Sequence, residues 1–217
     1  CRDGSRLLPR PISLCDIDVE QGLLRLVYRV AGKGTEEFSQ LAKGDTLEVL
    51  GPLGNGFPLE EAAGKRIFLI GGGIGIPPML AAAKALDGTR DDKLLVMGYR
   101  DRQFLHGELE QAGKLYVATE DGSAGVKGNV LDAIGEYGLA ADMIFACGPK
   151  PMLRAVGEYA SIQNIPCYVS LEERMACGIG ACLACVCGSV EVDSHSQVHN
   201  KRVCQEGPVF LSTEVEL

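Results

Sequence analysis

The sequence predicts a multi-domain β + α/β protein in three parts. Residues 1–63 form a β-rich front, 64–166 a doubly wound α/β unit with a five-stranded parallel sheet, and 167–217 a small cysteine-rich segment. Three observations predict this. Short alternating runs separated by Gly- and Pro-containing turns fill the front. Apolar strand-like runs alternate with helical stretches through the middle, the pattern of a parallel sheet. Four of the nine cysteines then fall between Cys177 and Cys187.

In the front, Leu23 to Val30 mixes apolar and basic positions at a strand-like period, and Thr46 to Leu50 alternates. Turns are marked by Gly22, Gly32-Lys-Gly34, Lys43-Gly44-Asp45, Gly51-Pro52 and Gly54-Asn-Gly56. Three or four strands fit here, too few to close an antiparallel barrel. The chain also starts at Cys1 rather than Met, so the barrel is expected to lack strands at its N-terminus. Within it, Arg10-Pro11-Ile12-Ser13 stands out. A fixed-φ Pro between a guanidinium and a hydroxyl can hold a strand against a flat ring while Arg10 meets a phosphate. Tyr28 and Arg29 alternate faces on the next strand, and Gly34-Thr35 reads as a backbone turn able to approach an anion. An Arg at a strand edge and a Tyr on a barrel face are equally ordinary structural residues.

In the middle, Arg66 to Ile70 reads as a short buried strand and Met79 to Leu86 as an Ala-rich helix. Between them lies Gly71-Gly72-Gly73-Ile74-Gly75-Ile76-Pro77-Pro78. Gly73-x-Gly75-x-x-Pro78 departs from the dinucleotide fingerprint at its last position. Its glycines still allow backbone approach to a pyrophosphate, and a first-turn Pro starts the helix that faces it. Further strand-like runs are Lys93 to Met97, Leu115 to Thr119, Met143 to Ala146 and Cys167 to Ser170. Helical stretches lie near Leu105 to Ala112, Asn129 to Tyr137 and Met152 to Gln163. Ligands of such sheets bind at the carboxyl ends of strands. That edge gathers Gly98-Tyr99-Arg100, Glu120-Asp121-Gly122-Ser123 and Cys147-Gly148-Pro149-Lys150-Pro151-Met152. The bland alternatives are a strand-to-helix turn, a capping turn, and a buried small hydrophobe at Cys147.

The tail reads Cys177-Gly-Ile-Gly-Ala-Cys182-Leu-Ala-Cys185-Val-Cys187, then a polar hairpin-like segment, then Cys204. Cys177, Cys182, Cys185 and Cys204 reproduce the plant-type spacing for a two-iron cluster, C-x4-C-x2-C followed by a distant fourth Cys. Gly178, Gly180, Ala181 and Ala184 keep the loop close and leave peptide N–H groups to point at sulfur. The competing reading is zinc, with Cys182 and Cys185 followed by His195-x3-His199. That reading gives Cys177 and Cys204 no role, and the stretch between Cys185 and His195 is short for a finger. Cys187 is taken as a non-ligand.

The totals set limits. A net charge of −8 argues against nucleic acid as a partner. No apolar run approaches the length of a bilayer span, and no secretory signal opens the chain. Cysteines at metal-ligand spacing in a chain of 217 residues point to a reducing cytoplasm rather than a disulfide scaffold. There is no Ser/His/Asp set and no pair of carboxylates to nominate as catalytic residues, so cofactors are expected to carry the chemistry.

The order Arg-Pro-Ile-Ser, Gly73-x-Gly75-x-x-Pro78, Cys-Gly-Pro, cysteine loop resembles the ferredoxin–NADP reductase superfamily. The full set resembles one branch closely, the electron-transfer subunits of NAD-dependent (type B) dihydroorotate dehydrogenase. The telling stretches are Ser170 to Cys187, Arg202 to Phe210, Asp121-Gly-Ser and Gly128-Asn-Val. The resemblance implies FAD at Arg10, Pro11, Ile12, Ser13, Val27, Tyr28, Arg29, Gly34 and Thr35. It implies NAD at Gly71, Gly73, Gly75, Pro78, Gly98, Cys147, Gly148, Pro149 and Met152. It implies a 2Fe-2S cluster on Cys177, Cys182, Cys185 and Cys204. It further implies an FMN-containing catalytic subunit as partner, in a heterotetramer, serving pyrimidine biosynthesis. Related flavin–iron–sulfur subunits with a sulfide- or glutamate-synthase partner, a stand-alone flavin reductase and a zinc-stabilised module remain alternatives. NADH and NADPH also remain alternatives, since Arg100 and Arg102 fit either a 2′-phosphate or solvent.

Overall fold

The computed structural model describes residues 8–86, 88, 92–192 and 197–217. Its front region holds one antiparallel ladder, β1 (Leu14–Asp18) with β2 (Leu23–Leu26). Of the three or four expected strands, the described front residues contain these two. Leu23 to Val30 is strand only as far as Leu26. Thr46 to Leu50 is not a strand at all: Leu47, Val49 and Leu50 are 45%, 65% and 64% exposed. Alternation marks a half-buried face, but a strand exists only through pairing, and no described strand pairs with this segment. The Gly34-Thr35 turn is instead the first turn of a short helix, α1 (Lys33–Phe38). The Thr35 hydroxyl makes the difference. It accepts from Ala31 N at 2.9 Å and Gly32 N at 3.2 Å, and donates to Gly32 O at 2.9 Å.

The sheet that follows begins with β3 (Ile67–Gly72), buried at every position. A 3₁₀ turn over Gly73–Gly75 leads directly into α2 (Ile76–Ala85), with Pro77 and Pro78 in its first turn. Then come β4 (Lys93–Tyr99), α3 (His106–Ala112), β5 (Lys114–Thr119), β6 (Val126–Lys127), α4 (Val130–Glu136), β7 (Met143–Cys147), α5 (Lys150–Gln163) and β8 (Cys167–Ser170). Asn129 caps α4, its side-chain oxygen accepting from Leu131 N at 2.8 Å. The five expected strands are all present and parallel, in the order β8-β7-β3-β4-β5. Two short edges make the sheet seven-stranded: β6 parallel beside β5, and β11 (Val209–Leu211) antiparallel beside β8. A second small ladder joins β9 (Val186–Gly188) to β10 (Asn200–Arg202).

Successive strand residues point to opposite faces, and both faces are covered. Ile67 and Leu69 face Ile76, Met79 and Leu80 of α2, along with Leu109 of α3 and Cys15 of β1. Phe68 and Ile70 face Ala133 and Ile134 of α4 and Leu153, Val156 and Ala160 of α5. The tail belongs to this second core, since Cys185, Cys187, Val203, Cys204 and Phe210 are buried within it. The front region is fixed to the sheet by ion pairs Lys84–Asp16 and Arg25–Glu108 and by Phe57 stacked on Phe145, ring centroids 4.8 Å apart. Tyr168 of β8 donates to Glu61 at 2.7 Å across the same boundary.

Candidate functional site

The predicted residues fall into three groups: the thiols of the tail, the glycines at the carboxyl ends of β3 and β7, and the flavin candidates of the front region. The thiols come first. Cys177 and Cys182 lie in contact, as do Cys185 and Cys204, and Cys177 lies near enough to Cys204 to act on its charge. Peptide N–H groups aim at the sulfurs. Ile179 N is 3.4 Å and Ala181 N 3.3 Å from Cys177 Sγ; Gly180 N is 3.1 Å from Cys204 Sγ; Cys204 N is 3.4 Å from Cys185 Sγ. Left-handed glycines at Gly178 (φ +72°) and Gly180 (φ +80°) make that loop possible. Donation from Ile179 N–H, then the Cys182 side chain, brings the Cys177 thiol down to about 6. Burial, reinforced by the Cys185 side chain, pushes Cys204 up to about 11. The quartet thus has an outer pair, Cys177 and Cys182, and an inner pair, Cys185 and Cys204, 3% and 6% exposed. Soft thiolates with peptide donors on sulfur are the donor chemistry a two-iron cluster takes.

Cys187 stands apart. It is buried, and its thiol donates to Lys201 O at 3.6 Å across the β9–β10 ladder, away from the quartet. Among the described residues, no three His, Cys, Asp or Glu side chains gather as a single metal ion requires. His195, invoked by the zinc reading, lies outside the described residues, and His199 Nδ1 sits 3.0 Å from Val190 O.

The nucleotide candidates line a crevice. From β3 the chain goes one way to β4 and returns on the other side at β7, so β3 and β7 flank the topological switch point. At its mouth are Gly71, Gly72 and Gly73 on one strand end and Cys147 and Gly148 on the other, with Gly71 paired to Cys147. Gly75 is needed for packing: a Cβ there would lie 2.1 Å from the Cys147 carbonyl oxygen. A Cβ on Gly73 would meet nothing within 4 Å, so this is the glycine with open space before it. Met152, in the first turn of α5, covers Gly72 and Gly148, and Pro149 precedes that helix as its N-cap. Gly98, next to last in β4, makes room for Val130. Burial pushes the Cys147 thiol up to about 11, against a hydrogen bond with Ser170. The Asp121 carboxylate accepts from Ser123 N at 2.9 Å and closes the turn after β5.

Of the flavin candidates, Arg10 and Gly34 are together. The guanidinium lies on the bare Gly34 Cα, with Arg10 Nε 2.7 Å from where a Cβ would stand. Thr35 beside it spends its hydroxyl on capping. Pro11 and Ser13 are exposed and Ile12 half-buried; Val27 packs into the core under β1; Tyr28 meets Phe38 edge-on, centroids 6.0 Å apart; Arg29 is exposed.

Sequence reasoning missed what ties these parts together. Asn55 reaches the turn after Cys204, donating from its amide to Gln205 O at 2.9 Å and Glu206 O at 3.1 Å. Arg202 donates to Gly180 O at 3.3 Å and pairs with Glu206, bracing that turn on the cysteine loop. The Gly54-Asn-Gly56 turn signal and the i,i+4 Arg–Glu spacing were the only traces.

Comparison with known proteins agrees with this geometry. Residues 172–216 match the iron-sulfur cluster binding domain of dihydroorotate dehydrogenase B. The dihydroorotate dehydrogenase B (NAD(+)) electron transfer subunit of Bacillus caldolyticus is 50% identical over 214 residues, which cover 97% of this chain and 81% of that protein. The protein of the same description from Listeria monocytogenes serotype 4b is 45% identical over 214 residues, 97% and 82% of the two chains. Among solved structures, an NADH-dependent reduced ferredoxin–NADP oxidoreductase studied for flavin-based electron bifurcation superposes with a TM-score of 0.81 at 33% identity. That match covers 95% of this chain and 74% of the other.

Proposed function

The chain belongs to the family of electron-transfer subunits of NAD-dependent dihydroorotate dehydrogenase B, and from that premise we propose that it carries electrons from a catalytic partner subunit to NAD. The partner holds FMN and oxidises dihydroorotate in pyrimidine biosynthesis, and the two assemble as a heterotetramer in the cytoplasm. No helix of the described residues is long and apolar enough to cross a membrane. When bound, the two-iron cluster and FAD supply one- and two-electron chemistry, with hydride delivered to NAD.

The protein's part is to bind and orient. Cys177, Cys182, Cys185 and Cys204 hold the cluster while their peptide donors offset charge on sulfur. Arg10, resting on Gly34, meets an FAD phosphate. The glycines at the β3 and β7 ends admit the NAD pyrophosphate to the positive end of α2. The return of Cys204 onto the cysteine loop from far along the chain, its sulfur accepting from Gly180 N at 3.1 Å and its own N–H donating to Cys185 Sγ at 3.4 Å, is the observation that carries this reading. Identity of 50% across nearly the whole chain favours this partner over that of the 33% identical ferredoxin-linked structure. The test is the assembled enzyme with and without iron. Removing iron should abolish dihydroorotate-dependent NAD reduction while NADH still reduces FAD. Coupling that survives iron removal would overturn the reading.

A further inference from the structure

We propose that Asn55 is a positioning residue whose side-chain amide sets the Cys204 turn in place before any cluster is built. The inference rests on the cluster reading above. The turn after Cys204 is held from two sides. Within the tail, Arg202 bonds Gly180 O and Glu206. From the front region, 150 positions away, Asn55 Nδ2 donates to Gln205 O, and it also donates to Glu206 O. Asn55 N adds a bond of 2.6 Å to Gly207 O. The approach is as close as backbone allows: Gly54 has φ +73°, and a Cβ there would lie 2.6 Å from Gly207 O. Beside it, Leu53 Cδ1 is 3.6 Å from where a Gly178 Cβ would stand, next to Cys177. One front loop therefore touches both thiol-bearing segments.

The residue type matters. Gln205 O and Glu206 O are both acceptors, and an amide NH₂ offers two donors in one plane. A carboxylate has the same shape and no donor, so it would face two carbonyl oxygens with nothing to give. This separates donation from mere space-filling. Asn55→Asp keeps the shape and Asn55→Ala removes it.

The experiment uses the full chain, with FAD content and protection of the central sheet amides confirming that each variant is folded. In the iron-free form, amide hydrogen exchange of Cys204 to Gly207 should quicken about tenfold in Asn55→Ala and further in Asn55→Asp. After reconstitution with iron and sulfide, cluster loss to a chelator should follow the same order, with an altered EPR signal in Asn55→Asp. Asn55→Asp behaving like the parent in both measurements would show that shape alone matters and overturn the proposal. If the parent itself takes up no iron, the cluster reading fails, and the exchange measurement still decides the clamp.

Discussion

Replacing Gly75 with Ala tests the strand-end crevice most directly. The added Cβ would stand 2.1 Å from Cys147 O, 2.4 Å from Cys147 C and 2.7 Å from Gly148 N. All three are backbone atoms of a strand end that pairs with β3 on one side and β8 on the other, so no side chain can swing aside. Relief requires the β7–α5 junction to move by about 1 Å, and overpacking of this kind costs about 3 kcal/mol at the upper end. For a chain of this size that is a fall in melting temperature of about 6–12 °C. The shift opens Gly71–Gly72 from Cys147–Gly148, so NADH-driven flavin reduction should slow as well. Gly73→Ala is the paired control. Its Cβ touches nothing, and its φ of +54° costs a non-glycine residue about 1–2 kcal/mol. Its effect should fall on KM for NADH, because the side chain enters the space proposed for pyrophosphate. Calorimetry and stopped-flow reduction with NADH measure both. A Gly75→Ala chain that melts with the parent refutes the packing argument. Unchanged NADH kinetics in Gly73→Ala removes the nucleotide from this turn.

Three further outcomes follow from the geometry. Cys204→Ser should lose iron and the cluster's EPR signal, whereas Cys187→Ser should keep both, because the Cys187 thiol is bonded to Lys201 O; the reverse result would move the fourth ligand. Arg10→Ala should weaken FAD by roughly one to two decades, the loss of a charge-assisted phosphate contact, and Gly34→Ala should do part of the same by displacing the guanidinium that lies on it; titration of flavin fluorescence giving parental affinity in both would dismiss the site. Leu183 is exposed with φ +57°, so Leu183→Gly should raise the stability of the iron-free chain by about 1 kcal/mol while weakening binding of the catalytic subunit; unchanged melting would show that the left-handed turn stores no strain.

How much of this was legible depends on range. The five long strands of the sheet, β3, β4, β5, β7 and β8, are apolar runs four or more residues long, and each showed in the sequence. β6 and β11, of 2 and 3 residues, are too short to carry a period, and β11 pairs with β8 only because the tail folds back. Thr46 to Leu50 shows the converse, a period without a strand. Gly32-Lys-Gly34 read as a turn because two glycines outweighed Thr35, whose cap makes a helix there. The thiol quartet was legible because metal chemistry fixes spacing within one loop. The Asn55 clamp was not, since hydrogen bonds to backbone carbonyls place no demand on the residues that own them.

The arrangement of the thiols also orders the proposed electron path. Cys185 and Cys204 share a buried core with Phe68 and Val169, so they are packed against the sheet. The turn after Cys204 is the one held by Asn55 from the front region. Cys182, by contrast, is exposed, and so are Ile179 and Leu183 beside it. A buried inner pair and an exposed outer pair flanked by apolar residues give the site two unlike sides. Electron exchange between proteins needs close, dry contact, and apolar residues around an exposed ligand supply it. Exchange within the chain needs a fixed separation, which a buried pair clamped from both segments supplies. On the proposed function, then, Cys177 and Cys182 would hold the cluster on the side open to the catalytic partner, and Cys185 and Cys204 would hold it to the rest of the chain. Replacing Leu183 should therefore alter transfer from the partner, and replacing Asn55 transfer to the flavin, with little crossover between the two.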